Sequence, residues 1–216
     1  MPAKTRRATP PKEPVAPPLG REDGKRDKRE RIAEAAWELF SSEGFAGTTT
    51  KAVAERAGIA AGTLFLYAQD KDDLLCLVMH DRLADAVDRA FATMPRGAAF
   101  PDRMIHVFGT FLDVYASNPA VGVPFVRALV SAQGPNGQKV NAMTFAFLHR
   151  LALHIREAQA ASEVSIEADA FLAAQNLFCL YSGALLGWAS GYVTMEYARN
   201  IGLTQSIRLQ MRGLHA

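Results

Sequence analysis

The strongest structural signals of this chain lie between Arg31 and Leu75, in the segment RIAEAAWELFSSEGFAGTTTKAVAERAGIAAGTLFLYAQDKDDLL. Its first part places apolar side chains at the i, i+3, i+4, i+7, i+8 spacing of one helical face. These residues are Ile32, Ala35, Ala36, Leu39 and Phe40. The pattern predicts a helix over residues 25–43. Gly44 ends it, because glycine readily takes the left-handed conformation of a C-terminal cap.

Two short helices are predicted next. The run Thr48, Thr49 and Thr50 supplies candidate N-caps for a helix over residues 50–57. Gly58 ends that helix, and a third one follows over residues 60–67. Two short helices joined by a tight turn, with a longer helix in front that buries them, form a helix-turn-helix.

The rest of the chain reads as helical throughout. Asp70 is placed to cap a fourth helix that ends near Met94, with Asp72 and Asp73 at the positive end of its dipole. Breaks at proline and glycine divide the remainder into predicted helices over 102–117, 119–132, 137–160, 167–191 and 203–214. No strand pattern and no fixed-period repeat is found. The prediction is an all-α chain with a small N-terminal bundle and a larger C-terminal one.

Composition excludes some classes and charge points to a partner. The chain has 216 residues, 49% hydrophobic and 21% charged, which excludes collagen-like and wholly disordered readings. Residues 1–29 hold nine Lys/Arg against four Asp/Glu, whereas residues 30–216 hold fifteen against eighteen. The Pro-rich residues 1–24 are expected to form a flexible basic arm. Such an arm either meets a polyanion or is a solvated tail.

The cellular compartment is inferred from the cysteines and from the start of the chain. Cys76 and Cys179 match no metal spacing and are too few for a disulfide framework. No secretory signal is recognised at the beginning of the sequence. Both observations favour a reducing, cytoplasmic location.

One segment challenges that location. The twenty-six residues between Asp169 and Glu196 carry no charge, which is long enough to span a bilayer. Gly183, Gly187 and Gly191 are spaced by four, as in closely packed membrane helices. Interspersed polar residues and the lack of flanking Lys/Arg clusters favour instead a buried helix at an interface. A membrane-associated helical protein remains the alternative.

The stretch from Arg31 to Leu75 resembles the N-terminal DNA-binding domain of the TetR/AcrR family of bacterial transcriptional regulators. The resemblance rests on the order and spacing of several short motifs: the Ala-Ala-x-x-Leu-Phe of the first helix, Gly44-Phe45, the Thr run, Ala57-Gly58-Ile59, Gly62-Thr63-Leu64, Tyr67, and Lys71 before Leu74-Leu75. It implies an arm over 1–24, a helix-turn-helix DNA-binding domain over 25–75 and an effector-binding and dimerisation domain over 76–216. Beyond Leu75 the chain resembles the family only in helical character, in length and in its last helix.

The resemblance implies which residues meet double-stranded DNA. The implied DNA-binding residues are Lys25, Arg26, Thr49, Thr50, Lys51, Ala61, Gly62, Thr63, Phe65, Tyr67 and Lys71. Lys51 is the best candidate for a guanine edge, and Thr49 and Thr50 suit phosphate contacts at a helix start. Ala60 departs from the common serine cap, and Phe65 lacks the hydroxyl of the usual tyrosine. The second helix of the motif is therefore expected to read thymine methyl groups and DNA shape.

For the C-terminal domain the resemblance implies a homodimer and an effector pocket. The dimer interface is expected at Gly183, Leu186, Gly187, Trp188 and Gly191. A pocket for a small, apolar or aromatic effector is expected from Phe108, Phe111, Phe125, Met143, Phe145, His149, Phe178 and Tyr181, although aromatic residues at helical spacing are also ordinary core.

The implied function is a ligand-responsive repressor that leaves a palindromic operator when its effector binds. No motif of an enzyme is found, and the sequence predicts no cofactor. His106, His149 and His154 show no convergent spacing, so no metal site is predicted. A helical enzyme or ligand carrier with an incidental helix-turn-helix stays a third reading. It would not bind DNA from its own upstream region.

Overall fold

The structure is a computed structural model that describes residues 21–129, 131 and 133–214. Within those residues every regular element is helical, which confirms the all-α prediction. The N-terminal helices are α1 (Arg21–Ser42), α2 (Gly44–Gly47), α3 (Thr50–Arg56) and α4 (Ala61–Leu64). The C-terminal part comprises α5 (Lys71–Ala92), α6 (Phe100–Ser117), α7 (Pro119–Ala128), α8 (Pro135–Ala160) and α9 (Ala170–Ala189). It closes with α10 (Met195–Tyr197), a π-helical segment Ala198–Gln205, and α11 (Ser206–Leu214).

Local sequence signals place the N-terminal helices. Ile32, Ala36 and Phe40 of α1 are completely buried, as their spacing predicts. Gly44 and Gly58 have φ angles of +75° and +64°, so both helix-ending glycines adopt the left-handed conformation. The Thr49 side chain accepts a hydrogen bond from the Ala52 amide at the start of α3. Helix α2 was not predicted from the sequence. This single turn places the ring centroid of Phe45 5.3 Å from that of Phe40.

Helix α1 begins before the sequence predicts. It starts at Arg21 instead of Lys25, so the last four residues of the expected arm are helical. The remainder of the arm, residues 1–20, lies outside the described residues. A run of charged residues with no proline continues the helix backwards, so Lys25 and Arg26 lie one turn inside it instead of at its start.

The C-terminal helices enclose one continuous core with α5 at its centre. Helix α5 packs against α1, α6, α7 and α8, and the pair α8 and α9 forms the other large contact. The uncharged segment is α9 followed by a short loop; α9 ends at Ala189 because Gly191 has φ +80°. By length and composition α9 could cross a membrane, but core helices of other proteins pass the same test.

The end of the chain differs from the single helix predicted over 203–214. Helix α10 and the π-helical segment occupy residues 195–205 before α11 begins. Gly202 lies in the π-helical segment, and a side chain there would meet Ala184 of α9, with its Cβ 3.2 Å from the Ala184 Cβ. The small residue allows this segment to lie directly on α9.

Candidate DNA interface, effector cavity and domain junction

The first helix of the helix-turn-helix, α3, is held against α1 by two polar contacts. Arg31 of α1 donates to the Ala57 carbonyl at the end of α3, over 3.2 Å. Arg56 of α3 pairs with Glu38 of α1 at 2.5 Å. Helix α3 also buries Val53, and α4 buries Leu64 and packs on α3.

Helix α4 presents a small, apolar front. Ala61 and Gly62 are exposed, and 52% of Phe65 and 82% of Leu66 are accessible to solvent. Ala60 sits at the N-cap position without any side-chain hydrogen bond, as its missing hydroxyl predicts. Leu66 is the exposed residue of this front that the sequence reading did not name.

The remaining expected DNA-binding residues divide between exposed and internally bonded ones. Lys51 is exposed, and its ammonium lies 3.9 Å from Glu55 on the same helix. Thr49 is exposed, whereas Thr50 and Thr63 are half-buried. Lys51 and Thr49 are therefore exposed, and the Thr49 hydroxyl already accepts the Ala52 amide at the start of α3.

Lys71 has a structural bonding pattern that the sequence reading did not anticipate. Its ammonium donates to the carbonyls of Phe45 and Thr48 at 2.8 and 3.2 Å, and it lies 4.5 Å from the centroid of the Phe45 ring. Two of its three N–H groups are therefore used inside the domain. The expected backbone-contact lysine ties the single turn of α2 to the start of α5.

An apolar cavity of about 280 Å³ lies between five helices of the C-terminal domain. Its walls come from α5 to α9, and none of its lining side chains is charged. The lining residues are Leu83, Val87, Phe111, Tyr115, Val126, Leu129, Val140, Asn141, Met143, Thr144, Phe147, Phe178, Tyr181, Ser182, Leu185 and Leu186. The volume is close to the lower end for small-molecule sites, about 300 Å³.

The few polar groups of this apolar cavity are neutral. Burial raises the pKa of Tyr115 to about 12 and holds the pKa of Tyr181 well above its ordinary value. Both phenols therefore carry their protons at neutral pH. With Thr144 and Ser182 they can donate or accept single hydrogen bonds, but they cannot neutralise an ionised ligand.

Four of the eight residues expected in the pocket line the cavity: Phe111, Met143, Phe178 and Tyr181. Phe108 and Phe125 are completely buried outside it, stacked on Tyr181 and Tyr115 respectively.

Phe145 and His149 correct the expectation, because they lie away from the cavity. Each is two residues from the lining residue Phe147, which is about 200° around a helix, and both are exposed. His149 packs its ring against Phe171 at 4.9 Å.

A second, basic cavity of about 320 Å³ lies where the two domains meet. It is lined by Lys25, Arg26, Arg29, Leu66, Tyr67, Leu77, Pro135, Asn136 and Lys139. Arg29 is bound to Asp81 of α5 at 2.5 Å, and that hydrogen bond lowers the pKa of the Asp81 carboxyl. Among the salt bridges of the described residues, none includes Lys25 or Lys139. The site can therefore hold an anion.

The same junction contains a buried carboxylate that the sequence reading assigned only to the dipole of its own helix. Asp73 is 1% exposed and accepts hydrogen bonds from the amides of Gln69, Asn136 and Gly137 and from the Asn136 side chain, over 2.8 to 3.2 Å. The signal that could have revealed it is the start of α8, where Gly134 and Pro135 offer no side-chain cap.

The expected interface residues lie along α9 and just beyond it. Gly183 is exposed with open space around its Cβ position, Leu186 is 44% exposed, and Trp188 is half-buried against the core. Gly187 approaches Val193, and the positive φ of Gly191 ends the helix. Exposed residues of α9 recur at Leu172, Gln175, Asn176, Cys179, Gly183, Leu186 and Ser190.

Comparison with known proteins agrees with this geometry. Residues 32–76 match the family described as bacterial regulatory proteins, tetR family. The fatty acid metabolism regulator protein of Bacillus subtilis is 23% identical over 192 residues, covering 88% of this chain and 97% of that protein. The transcriptional regulator UidR of Escherichia coli strain K12 is 25% identical over 190 residues, covering 86% and 92%.

Solved structures share the fold over most of the chain. FadR of Thermus thermophilus, a TetR-family repressor solved in complex with lauroyl-CoA, gives a TM-score of 0.64 at 23% identity and covers 86% of this chain and 92% of that one. FadR of Bacillus subtilis, solved in complex with stearoyl-CoA, gives 0.63 at 19% identity and covers 87% and 97%.

A helix-turn-helix joined to a helical domain with an apolar cavity is the architecture shared with these relatives, which are named as regulators of metabolism or transcription. Residues 32–76 thus match the DNA-binding part of the tetR family of bacterial regulatory proteins, and the helical fold of the whole chain is similar to that of solved TetR-family regulators.

Proposed function

We propose that this protein is a homodimeric repressor whose affinity for its operator falls when a long-chain acyl thioester of coenzyme A binds. The observation that carries the effector class is the pairing of an uncharged apolar cavity with a basic cavity one helical turn away. Lys139 of the basic cavity and Met143 of the apolar cavity are four residues apart on α8, so they share one face of that helix. A ligand with an apolar tail and an anionic head matches that order.

Two of the related structures support this class, since they are described as complexes with stearoyl-CoA and lauroyl-CoA. An acyl chain suits the apolar cavity because all its lining residues are uncharged. The phosphates of the head suit Lys25 and Lys139, because charge-assisted hydrogen bonds to phosphate are about twice as strong as neutral ones. A neutral aromatic effector would use the apolar cavity alone.

The direct test titrates the dimer with lauroyl-CoA, free coenzyme A and laurate and follows binding by calorimetry. We expect lauroyl-CoA to bind most tightly. The substitution Ser182→Phe fills the apolar cavity and should abolish its binding, whereas Ala146→Phe on the exposed side of α8 should not. Lys139→Gln should weaken lauroyl-CoA binding, because it removes one of the cations of the basic cavity. Equal affinity of wild type and Ser182→Phe would exclude the cavity as the site.

DNA binding is tested with fragments of the genome retained at physiological salt, followed by anisotropy on the selected operator. We expect a roughly palindromic site, because a two-fold dimer presents two copies of α4. Lys51→Ala should weaken binding and relax the preference at one base pair. Deletion of residues 1–24 should reduce the salt dependence more than the sequence preference. An unchanged salt dependence would show that residues 1–24 are a solvated tail without contacts to DNA.

We further propose that the exposed stripe of α9 forms the dimer interface together with the helices that follow it. The stripe is uncharged from Leu172 to Ser190, and the apolar side chains of Ile201 and Leu209 are exposed on the adjoining elements. Gly183→Arg places a charge in the stripe without a clash inside one chain, because nothing lies within 4 Å of its Cβ position. Light scattering should show a folded monomer for this variant and a dimer for Ala160→Arg, an exposed position at the end of α8.

This proposal also places the protein in the cytoplasm, where its operator lies. The apolar length of α9 is then explained by burial on one side in its own core and on the other against a second copy. A monodisperse dimer in detergent-free buffer is the expected result. Recovery only from the membrane fraction would support the membrane reading instead.

A further inference from the structure

The buried carboxylate of Asp73 joins three segments that lie far apart in the sequence. Its Oδ1 accepts from the first-turn amides of α8, at 2.8 Å from Asn136 and 3.2 Å from Gly137. Its Oδ2 accepts from the Gln69 amide and from the Asn136 side chain, each at 3.0 Å. A single side chain of α5 therefore caps α8 and holds the turn that follows the recognition helix α4.

Helix α8 depends on this cap because its own sequence supplies none. Its N-cap residue is Gly134, and Pro135 occupies the first turn. A Cβ atom on Gly134 would lie 2.2 Å from the Asp73 Cγ, so the carboxylate occupies the space that a side chain would need. Glycine at position 134 therefore leaves the room that the Asp73 carboxylate needs to approach the start of α8.

Asn136 completes the link to the recognition helix. It is 2% exposed, and its side-chain amide donates both to Asp73 and to the Tyr67 carbonyl, the latter at 2.7 Å. The Tyr67 amide in turn donates to the Leu64 carbonyl at the end of α4, at 2.8 Å. The start of α8 is thus two hydrogen bonds away from the last residue of α4.

Both helices that meet at this joint continue into the apolar cavity. Helix α8 contributes Val140 and Met143, which lie four and seven residues after Asn136. Helix α5 contributes Leu83 and Val87 beyond Asp73. A shift of α8 relative to α5 on filling the cavity must either carry the joint along or break its hydrogen bonds, because buried bonds of fixed direction cannot stretch gradually.

We propose that the pair Asp73 and Asn136, hereafter the joint, transmits occupancy of the apolar cavity to the recognition helix. This inference rests on the proposed function, since it concerns how effector binding reaches the DNA-binding domain. In the effector-free protein the joint holds α4 in the geometry that binds DNA. Removing the Asn136 side chain cuts the connection to Tyr67 and leaves the backbone cap of α8 in place.

The test measures coupling as a ratio, which separates it from binding at either site. Operator affinity is measured with and without saturating lauroyl-CoA, and lauroyl-CoA affinity is measured without DNA, for wild type, Asn136→Ala and the control Gln138→Ala. Gln138 is an exposed neighbour on α8. Coupling factors of about 5-fold to 150-fold are usual for allosteric proteins. We expect wild type and Gln138→Ala to lie in that range and Asn136→Ala to fall to about 2-fold or less.

A coupling factor of Asn136→Ala equal to that of wild type would overturn the proposal. Thermal melting checks that the variants are folded. If Asn136→Ala is not folded at the assay temperature, Asn136→Ser, which retains one donor, should give an intermediate coupling factor. Full coupling in that variant would equally overturn the proposal.

A second measurement needs neither operator nor effector. Hydrogen exchange should show faster exchange in Asn136→Ala at both the turn 67–69 and the first turn of α8, with α9 unchanged, while Gln138→Ala alters neither. Faster exchange at α8 alone would show that α4 does not depend on the joint. If lauroyl-CoA fails to bind wild type, the proposed effector is refuted, and this measurement still decides whether the joint links the two helices.

Discussion

Substitution of Gly134 by alanine should destabilise the protein strongly, although glycine-to-alanine changes usually stabilise a protein where the backbone angles suit alanine. The φ and ψ angles of Gly134 are −70° and 169°, which alanine adopts without strain. The new Cβ would lie 2.2 Å from Cγ and 2.3 Å from Oδ1 of Asp73. The carboxylate is fixed by four donors, so it cannot move aside without losing hydrogen bonds.

The magnitude follows from the bonds on Oδ1. That oxygen accepts from the amides of Asn136 and Gly137, and hydrogen bonds to a charged group contribute about 1.5–3 kcal/mol each. Loss of both costs about 3–6 kcal/mol. Replacing glycine returns about 0.4–1 kcal/mol through the unfolded state. We therefore expect the free energy of unfolding to fall by about 2–6 kcal/mol, a large share of the usual 5–15 kcal/mol.

Urea unfolding at one protein concentration measures this change, with a lower midpoint at an unchanged m-value. The matched control is Gly24→Ala in α1, where nothing lies within 4 Å of the Cβ position. It should be neutral or stabilise by up to about 1 kcal/mol. A free energy of unfolding for Gly134→Ala within about 0.5 kcal/mol of the wild-type value, the usual range of a neutral surface substitution, would show that the Asp73 carboxylate is not a fixed cap.

Three further outcomes follow from side-chain environments. Burial raises the pKa of the Cys76 thiol to about 12, so Ellman's reagent should label only Cys179 in the native protein and both cysteines in urea. Pairing of α9 with a second copy should slow the labelling of Cys179. Rapid labelling of Cys76 in the native protein would contradict its burial. Burial raises the pKa of Tyr115 to about 12 and holds the pKa of Tyr181 well above its ordinary value, so both phenols ionise later in the folded state than in the unfolded one. Their stabilisation is fully present below about pH 10 and is lost as pH rises through the folded-state pKa of each phenol. Ultraviolet titration should therefore find two tyrosines that ionise only with unfolding. Lys71→Met should lower the unfolding free energy by about 1–3 kcal/mol through its two lost carbonyl bonds, less than for the buried Asp73 because Lys71 is half-buried and water replaces part of each bond. An unchanged value would assign Lys71 to DNA contacts alone.

The N-terminal domain could be predicted well because its signals act over a few residues. The apolar stripe of α1, the left-handed glycines at 44 and 58 and the caps at Thr49 and Asp70 each depend on neighbours within one or two turns. Where no residue terminates a helix and only general helix propensity acts, the observed helix boundary differs from the predicted one. Helix α1 extends back to Arg21 because nothing in 21–24 forbids a helix.

The cavity could be predicted only in part, since apolar periodicity does not say which buried face meets empty space. Helix α8 carries Met143, Phe145 and Phe147, and composition alone ranks the three alike. Only Met143 and Phe147 point to the cavity, because the neighbouring helices α5 and α9 pack on that side. Phe108 and Phe125 were expected in the pocket, but neighbouring side chains surround them completely and neither lines the cavity.

The start of α8 shows why the joint escaped a local reading. The sequence predicts that α8 begins at 137, after Pro135 and Asn136, whereas its cap comes from Asp73, 63 residues before Asn136. Asp73 has a sufficient local explanation at the N-terminus of α5, so no anomaly draws attention to it. The anomaly lies in the partner: a buried helix start made of glycine and proline leaves amides that must bond elsewhere. A helix that lacks its own cap therefore indicates a contact distant in sequence, and here that contact is one of those that join the C-terminal helices to the helix-turn-helix.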